Sequence, residues 1–589
     1  MGMNERVETK ARGSNEVDVL VIGAGAGGLS AALFASIRGM KTLLCEKTSQ
    51  IGGTTASSGG IVWAPGNMHA RNAGVEDSPD RVREYLAGEL GEYFDAELAN
   101  AFIEGAPKAI ETLERQSDVK FSYVPWPDYH PDRPGGATGR TLESKRFDGR
   151  LLGDDFRRVR APLKPLMLFG GLQVDKRKVD DFLNPFRSPQ TFCRVIKTFA
   201  RYAADRLTYP RGTELGAGNA LVAALFYSLK RKGVDVWTNA PLVRLIHDGR
   251  RVSGAVVERD GAYQTIYARR AVVLATGGFP QNDQMRKEFA KDFPHEFSFG
   301  FEESIGEGIN AAREIGATVD THLASPGYWQ PSSSIRGADG IRRPVLYGYL
   351  DRGRPGVVAV NSSGRRFVNE SNSYHDVGRA LIDAGSGRGE KFFFVCDRTF
   401  VWNHGLGMIR PFRWSLRPYI DSGYIKTADS IEELATKIGV DPAGLKKTIE
   451  KHNSYARTGV DLEFGKGSTA YNRMFGHPRA RPNPNLAPIV KAPFVALEII
   501  PTTLGTAVGL DVNRNAQVLD GSGRPIQGLY ACGNDMESMM RGCYPAGGIT
   551  LGPAITFAYL AMEHASSNAG AEIVPLDNPA HDGARRPAN

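Results

Sequence analysis

The chain of 589 residues is 41% hydrophobic and 23% charged, which gives ample apolar material for large cores and excludes disorder as its main state. Its 68 Gly and 34 Pro follow no three-residue period, so a collagen-like chain is excluded and tight turns are expected. The net charge of +8 is concentrated, because between 156 and 211 there are 13 Lys or Arg against 4 Asp or Glu; a generally basic surface for nucleic acid is therefore not expected.

No apolar run reaches the ~18 residues that suggest a spanning helix. The segment through Glu16 is polar and lacks the apolar core of a signal peptide. Cys45, Cys193, Cys396, Cys532 and Cys543 are odd in number, widely spaced and free of CxxC pairs. A disulfide framework or metal site is not expected, and a reducing cytoplasm is.

In chain order, Val17 to Ile22 reads as a buried strand running into Gly23-Ala24-Gly25-Ala26-Gly27-Gly28. Leu29 to Arg38 reads as a helix of small residues stopped at Gly39, and Lys41 to Cys45 as a second strand ending at Glu46. A polar, glycine-rich loop follows (Gly52-Gly53-Thr54-Thr55, then Ser57-Ser58-Gly59-Gly60), and helical patterns continue through Gln116. Strands are expected at Val234 to Trp237, Gly254 to Glu258, Tyr263 to Tyr267 and Arg270 to Ala275, the last ending at Thr276-Gly277-Gly278. The stretch Gly212 to Leu221 has no strand before it and reads as loop or cofactor contact. Strands and helices mix between 326 and 499. Gly528 to Ala531 is a late strand, and Ile555 to His564 is a helix after the glycine-rich turn Tyr544 to Gly548.

A lone GxGxxG is weak evidence, but here a strand precedes it, a helix follows, and an acid ends the second strand. Gly23 allows the tight turn, Gly25 lets a pyrophosphate reach the backbone, and Gly28 lets helix and sheet pack closely. The helix N-terminus offers N–H groups to phosphate. Glu46 is placed to accept hydrogen bonds from an adenosine ribose.

The continuation Glu46-Lys47…Gly52-Gly53-Thr54 resembles the FAD-binding start of the succinate dehydrogenase/fumarate reductase flavoproteins. Ala275-Thr276-Gly277-Gly278 and Tyr530-Ala531-Cys532-Gly533-Asn534 resemble that superfamily's later flavin contacts. The resemblance implies FAD contacts at Gly23, Gly25, Ala26, Gly28, Glu46, Lys47, Gly53, Thr54, Thr55, Ser58, Gly59, Gly60, Val243, Thr276, Gly277, Gly278, Gly533, Asn534, Gly548 and Leu551. No second GxGxxG has strand–helix context, so resident FAD with an external, quinone-like electron acceptor is implied. The loop before Ser57 has no histidine of the kind that carries covalent flavin, so FAD is expected to be non-covalent.

Four stretches resemble the 3-ketosteroid Δ1-dehydrogenases: Ser58 to Pro65, Pro127-Asp128-Tyr129, Asn369 to Tyr374, and Arg541 to Gly548. The resemblance implies a 3-ketosteroid substrate and catalytic roles for Tyr129, Tyr374, Tyr544 and Gly548. The chemistry suits those residues. The C2 hydrogen of a 3-ketosteroid is acidic and leaves as a proton; the C1 hydrogen leaves as hydride. Tyr544 and the Gly548 N–H would hold the growing charge on the C3 oxygen, Tyr374 would take the proton, and Tyr129 would help share it. His130 stands where family members commonly carry an aromatic residue; it either tunes Tyr129 or faces solvent, and the second is expected.

Gln190 to Leu207 has Phe192, Val195, Ile196, Phe199, Tyr202 and Ala203 at helical spacing, with Arg194, Lys197, Arg201 and Arg206 on much of the rest. Such a helix either packs on its own protein or lies on an anionic membrane, and the resemblance leans to membrane contact through 156–211. The expected fold is α/β: a Rossmann-like FAD-binding domain (1–325 and 500–589) with an inserted α+β catalytic domain (326–499). The expected activity is FAD-dependent 1,2-desaturation of 3-ketosteroids by a cytoplasmic protein on the inner face of the membrane. A Δ4-(5α)-dehydrogenase and a fumarate-reductase-like flavoprotein remain as rivals.

Overall fold

The computed structural model describes residues 15–568, except 164–166, 174–177, 179–180, 183–184, 291–296, 338 and 346–350. The apolar run at the N-terminus forms the strand Asn15–Ile22, in which Val19, Leu20 and Val21 have no exposed surface. A strand buried on both faces suits the centre of a parallel sheet. Its neighbours are Thr42–Cys45 on one side and Ala262–Leu274 on the other, both parallel to it. Asp235–Trp237 extends the sheet beyond Thr42–Cys45, and Pro525–Ala531 extends it beyond Ala262–Leu274, again in parallel.

The register decides what this sheet can do. Ile22 pairs with Cys45 and with Leu274, Leu274 with Ala531, and Cys45 with Trp237. The strands therefore end level, and the segments after them share one rim, where open α/β sheets bind ligands. The expected strands at 263–267 and 270–275 are one continuous strand, Ala262–Leu274. Its first half pairs antiparallel with Val252–Arg259 and its second half lies in the parallel sheet, so one strand serves both layers.

The helix Ala26–Ile37 packs against Leu551–Ser567, with the Phe34 and Tyr559 rings 5.2 Å apart. The stretch 212–221, expected as loop or cofactor contact, departs from the loop reading from Ala217 onward. A helix, Ala217–Arg231, starts inside it from Gly216. A Cβ on Gly218 would stand 1.9 Å from the Thr55 carbonyl oxygen, so this glycine serves close packing of the helix start on the Thr55–Gly60 loop.

A second sheet runs in the order Arg342–Val345, Gly327–Arg336, Phe494–Thr506, Phe392–Asp397, Val357–Val360, with Ile425–Ala428 also on Phe494–Thr506. The helix Tyr374–Asp383 lies on Gly327–Arg336; a Cβ on Gly378 would come within 2.6 Å of the Trp329 Cβ. A small sheet of Ile61–Trp63, Thr141–Ser144 and Phe121–Tyr123 meets the last glycine-rich turn, where Trp63 N donates to Gly548 O at 3.1 Å.

The basic segment forms the helix Pro189–Thr208, capped by Ser188 accepting from Thr191 N. Its orientation is the reverse of an ordinary surface helix. Phe192, Ile196, Phe199 and Leu207 are exposed, together with Cys193, Ala200, Ala203 and Ala204. Arg194 pairs with Asp181 at 2.7 Å and Arg201 with Asp148 at 2.9 Å, turning two of the four cations toward the protein. Among the described residues, no helix is long and apolar enough to cross a membrane.

Candidate active site

The glycines of the first turn differ in their surroundings. A Cβ on Gly23, whose φ is +102°, would stand 2.2 Å from Ala275 O, and one on Gly28 would stand 1.8 Å from Gly23 O. Both are therefore held by packing. Gly25 faces open space, its nearest neighbour being Thr55 Oγ1 at 3.9 Å, and nothing lies within 4 Å of a Cβ on Gly533.

Around this turn the polar residues tie the rim together. Glu46 accepts from Ala24 N at 2.9 Å and from Thr48 N and Oγ1 at 3.0 Å; burial pushes its carboxyl up, and those bonds oppose the rise. Lys47 is ion-paired with Glu307. Thr54 Oγ1 accepts from Phe301 N and Thr55 Oγ1 from Ala26 N. Ser58 Oγ accepts from Gly60 N at 3.1 Å, and Gly59 lies between them. Asp535, which sequence reasoning missed, accepts from Thr276 N and from Gly278 N across Gly277, joining the second and third rim segments. Leu551 is buried at the start of the last helix, and Val243 is half-exposed on the edge strand Leu242–His247.

The three tyrosines meet. Tyr129 and Tyr544 stack at 5.7 Å, Tyr374 meets Tyr544 edge-on at 5.1 Å, and Tyr129 meets Tyr374 edge-on at 5.9 Å. Tyr328 and His375 each lie 5.4 Å from the Tyr544 ring, and Tyr471 lies 4.7 Å from Tyr129. These additional rings carry no short motif that would have marked them. Burial lowers His375 to about 4, so its ring is neutral, and Nδ1 accepts from Trp329 N.

Gly548 has φ +96°, and a Cβ there would stand 2.6 Å from Trp63 N. Its carbonyl accepts from Trp63 N and Gly552 N, while its N–H donates to no described residue. A Cβ on the neighbouring Gly547 would stand 3.4 Å from Tyr129 Oη.

A buried polar frame holds the Tyr129 segment. Asp128 accepts from Trp63 Nε1 at 3.0 Å and pairs with Arg140 at 2.8 Å; burial raises its carboxyl to about 6 against that pairing. Tyr129 N donates to Pro545 O at 2.8 Å, and Tyr85 Oη donates to the same carbonyl at 2.7 Å. His130 does not face solvent as expected. Its Nδ1 lies 2.8 Å from Glu89 Oε2 and its Nε2 3.1 Å from Asp376 Oδ2, because two carboxylates converge on the position.

An open pocket beside the rim is lined by Gly533, Asn534, Thr506 and Tyr328 among others. Two buried hydroxyls of the adjoining strand, Thr503 Oγ1 and Thr506 Oγ1, lack hydrogen-bond partners among the described residues. Open glycine backbone at the rim and unsatisfied hydroxyls at the pocket fit a bound dinucleotide with a polar ring system.

The level strand ends, the glycine turn and this pocket define a FAD-binding α/β flavoprotein, and the FAD binding domain family matches residues 18–551. The chain is 36% identical to a 3-oxosteroid 1-dehydrogenase of Mycobacterium tuberculosis, covering 94% of this chain and 99% of that one. It is 35% identical to a 4-oxocyclohex-2-ene-1-carboxylate 5-dehydrogenase of Sinomonas cyclohexanicum, covering 92% of each. The crystal structure of 3-ketosteroid Δ1-dehydrogenase from Sterolibacterium denitrificans with 1,4-androstadiene-3,17-dione matches with a TM-score of 0.85 at 34% identity, covering 94% of this chain and all of that one. The chain belongs to the 3-oxosteroid 1-dehydrogenase family and is a FAD-dependent oxidoreductase.

Proposed function

We propose that this protein introduces a C1–C2 double bond into a 3-ketosteroid. The observation that carries the reading is the convergence of Tyr129, Tyr374 and Tyr544 beside a Gly548 N–H that no described residue uses. Tyr544 Oη and Gly548 N–H donate to the C3 oxygen, and charge stabilised there acidifies the C2 hydrogen. Tyr374 takes that proton and shares it with Tyr129. Arg352 lies over the Tyr374 ring, 6.0 Å from its centre, and puts a positive charge against that side chain. FAD, held without a covalent link along the Gly23–Gly28 turn and the rim, would supply the acceptor for the C1 hydride.

In this reading the second sheet and its Tyr374 helix form the substrate side, and 1–325 with 500–589 form the flavin side. A 4-oxocyclohexane carboxylate offers the same ketone chemistry but needs a cation for its carboxylate. Arg352 already donates to Asn372 O through Nε and Nη2, which favours the steroid. Electrons leave to an external quinone-like acceptor. The exposed apolar stripe of Pro189–Thr208 rests on the inner face of the cytoplasmic membrane, where sterols and quinones partition.

The test is turnover of androst-4-ene-3,17-dione with an acceptor dye, followed as formation of the 1,4-diene. Desaturation of a 5α-3-ketosteroid at C4–C5 in its place would move the assignment to the Δ4 rival. Turnover of 4-oxocyclohexanecarboxylate alone would overturn the steroid.

A further inference from the structure

We propose that His130 is a positioning residue: its ring bridges Glu89 and Asp376 and so sets the Tyr129 segment against the helix that begins at Tyr374. The inference rests on the roles proposed above for the tyrosines.

His130 directly follows Tyr129, so the backbone that fixes one fixes the other. Nδ1 meets Glu89 on the helix Pro79–Leu90, and Nε2 meets Asp376 on the helix Tyr374–Asp383. Asp376 is also part of that helix's capping box, since the same Oδ2 accepts from Ser373 N at 3.3 Å while Ser373 Oγ accepts from Asp376 N. A pull on Asp376 is therefore a pull on the first turn, which carries Tyr374. The backbone N of His130 donates to Tyr85 Oη at 3.4 Å, and Tyr85 Oη donates to Pro545 O, next to Tyr544. One residue thus touches the supports of all three tyrosines.

The chemistry of the bridge requires a cation. A neutral imidazole has one N–H and would present a lone pair to the second carboxylate; an imidazolium donates to both. Burial alone would lower the ring's affinity for its proton, but the hydrogen bonds and charges of Asp376 and Glu89 carry it up to about 10. The other groups around the bridge are Arg133, which pairs with Glu89 at 3.1 Å, Tyr85, and His375, Arg379 and Cys543 at the Tyr374 helix and the Tyr544 segment. Without the cation, Glu89 and Asp376 would face each other across the segment that places Tyr129.

The test compares FAD-loaded wild type, His130→Gln, Asp376→Asn, Glu89→Gln and the double variant His130→Gln/Asp376→Asn on androst-4-ene-3,17-dione. Gln keeps polarity but brings no positive charge, so it cannot replace an imidazolium between two carboxylates. Expected for His130→Gln is a fall in kcat of about 10-fold or more, the size of effect a misplaced catalytic group causes, with KM, flavin content and thermal midpoint unchanged. The double variant should be no worse than the worse single one, because both break the same bridge. A wild-type kcat in His130→Gln, or losses that multiply in the double variant, would overturn the proposal. If His130→Gln fails to take up FAD, Asp376→Asn and Glu89→Gln decide: each removes the negative charge at one end of the bridge, and wild-type kcat in both overturns it. Tyr544→Phe measured alongside separates the two readings. Normal turnover there removes the tyrosine roles themselves, whereas a crippled Tyr544→Phe with a normal His130→Gln removes only the bridge.

Discussion

The flavin rim and the tyrosine cluster are built on opposite plans. The rim's first turn lies within six consecutive residues, Gly23 to Gly28, and its other segments arrive because neighbouring strands end in register. The cluster draws Tyr129, Tyr374 and Tyr544 from a loop, a helix start and a turn that share no strand, and holds them with side-chain frames such as Asp128–Arg140 and Tyr85–Pro545. A site specified locally is expected to fail as a whole when one residue is wrong. A site assembled from a distance is expected to lose function one hydroxyl at a time while the fold persists.

The sharpest test of that contrast is Gly28→Val. Its Cβ would be 1.8 Å from Gly23 O, so flavin content and soluble yield should both collapse. Flavin absorbance relative to protein reads this directly, and a yellow, soluble variant would break the comparison. Next in size, Tyr544→Phe and Tyr374→Phe should each lower kcat by about 10²-fold or more, the usual loss for an oxyanion donor or positioned base. Flavin content should stay normal in both, since only a hydroxyl is removed; flavin loss there would mean the two regions are one unit.

Glu46→Ala leaves the Ala24 N–H without its acceptor as well as removing a partner for the ribose. Loss of the charged partner for the ribose costs about 1–3 kcal/mol, so the Kd for FAD, measured by fluorescence, should rise by about one to two orders of magnitude, with kcat at saturating FAD unchanged. Tyr129→Phe should be milder than its two neighbours, at about 10-fold in kcat. The smallest effect on turnover belongs to the basic segment. Serine at Phe192, Ile196 and Phe199 should release the protein from vesicles in a flotation assay while leaving turnover of a water-soluble steroid intact. Salt should matter modestly, because only Lys197 and Arg206 remain exposed of the helix's four cations, at about 1 kcal/mol each. Flotation that survives the three serines would assign the contact to another surface.

Much of the rim was legible because its signals are short-range. The strand Asn15–Ile22, the glycine spacing and the acid at Glu46 all report on adjacent backbone. Within 212–221, read as loop or cofactor contact, the helix start at Ala217 was not legible, because a glycine-rich stretch looks the same whether its glycines serve a turn or close packing. Only the approach of Gly218 to Thr55 shows which. The three clustered tyrosines were reachable through family-like motifs, but Tyr328, Tyr471 and His375 were not, since they surround other rings and packing leaves no spacing to read.

The sequence alone determined which residues share a face of Pro189–Thr208, since periodicity follows from helix geometry. It could not determine which face is buried. That was decided by Asp148 and Asp181, which lie outside the helix and take Arg201 and Arg194 toward the protein, leaving Phe192, Ile196 and Phe199 outside. His130 follows the same rule. Its identity is local, but its charge and its partners come from two helices, Pro79–Leu90 and Tyr374–Asp383, that only the tertiary structure brings to either side of the ring.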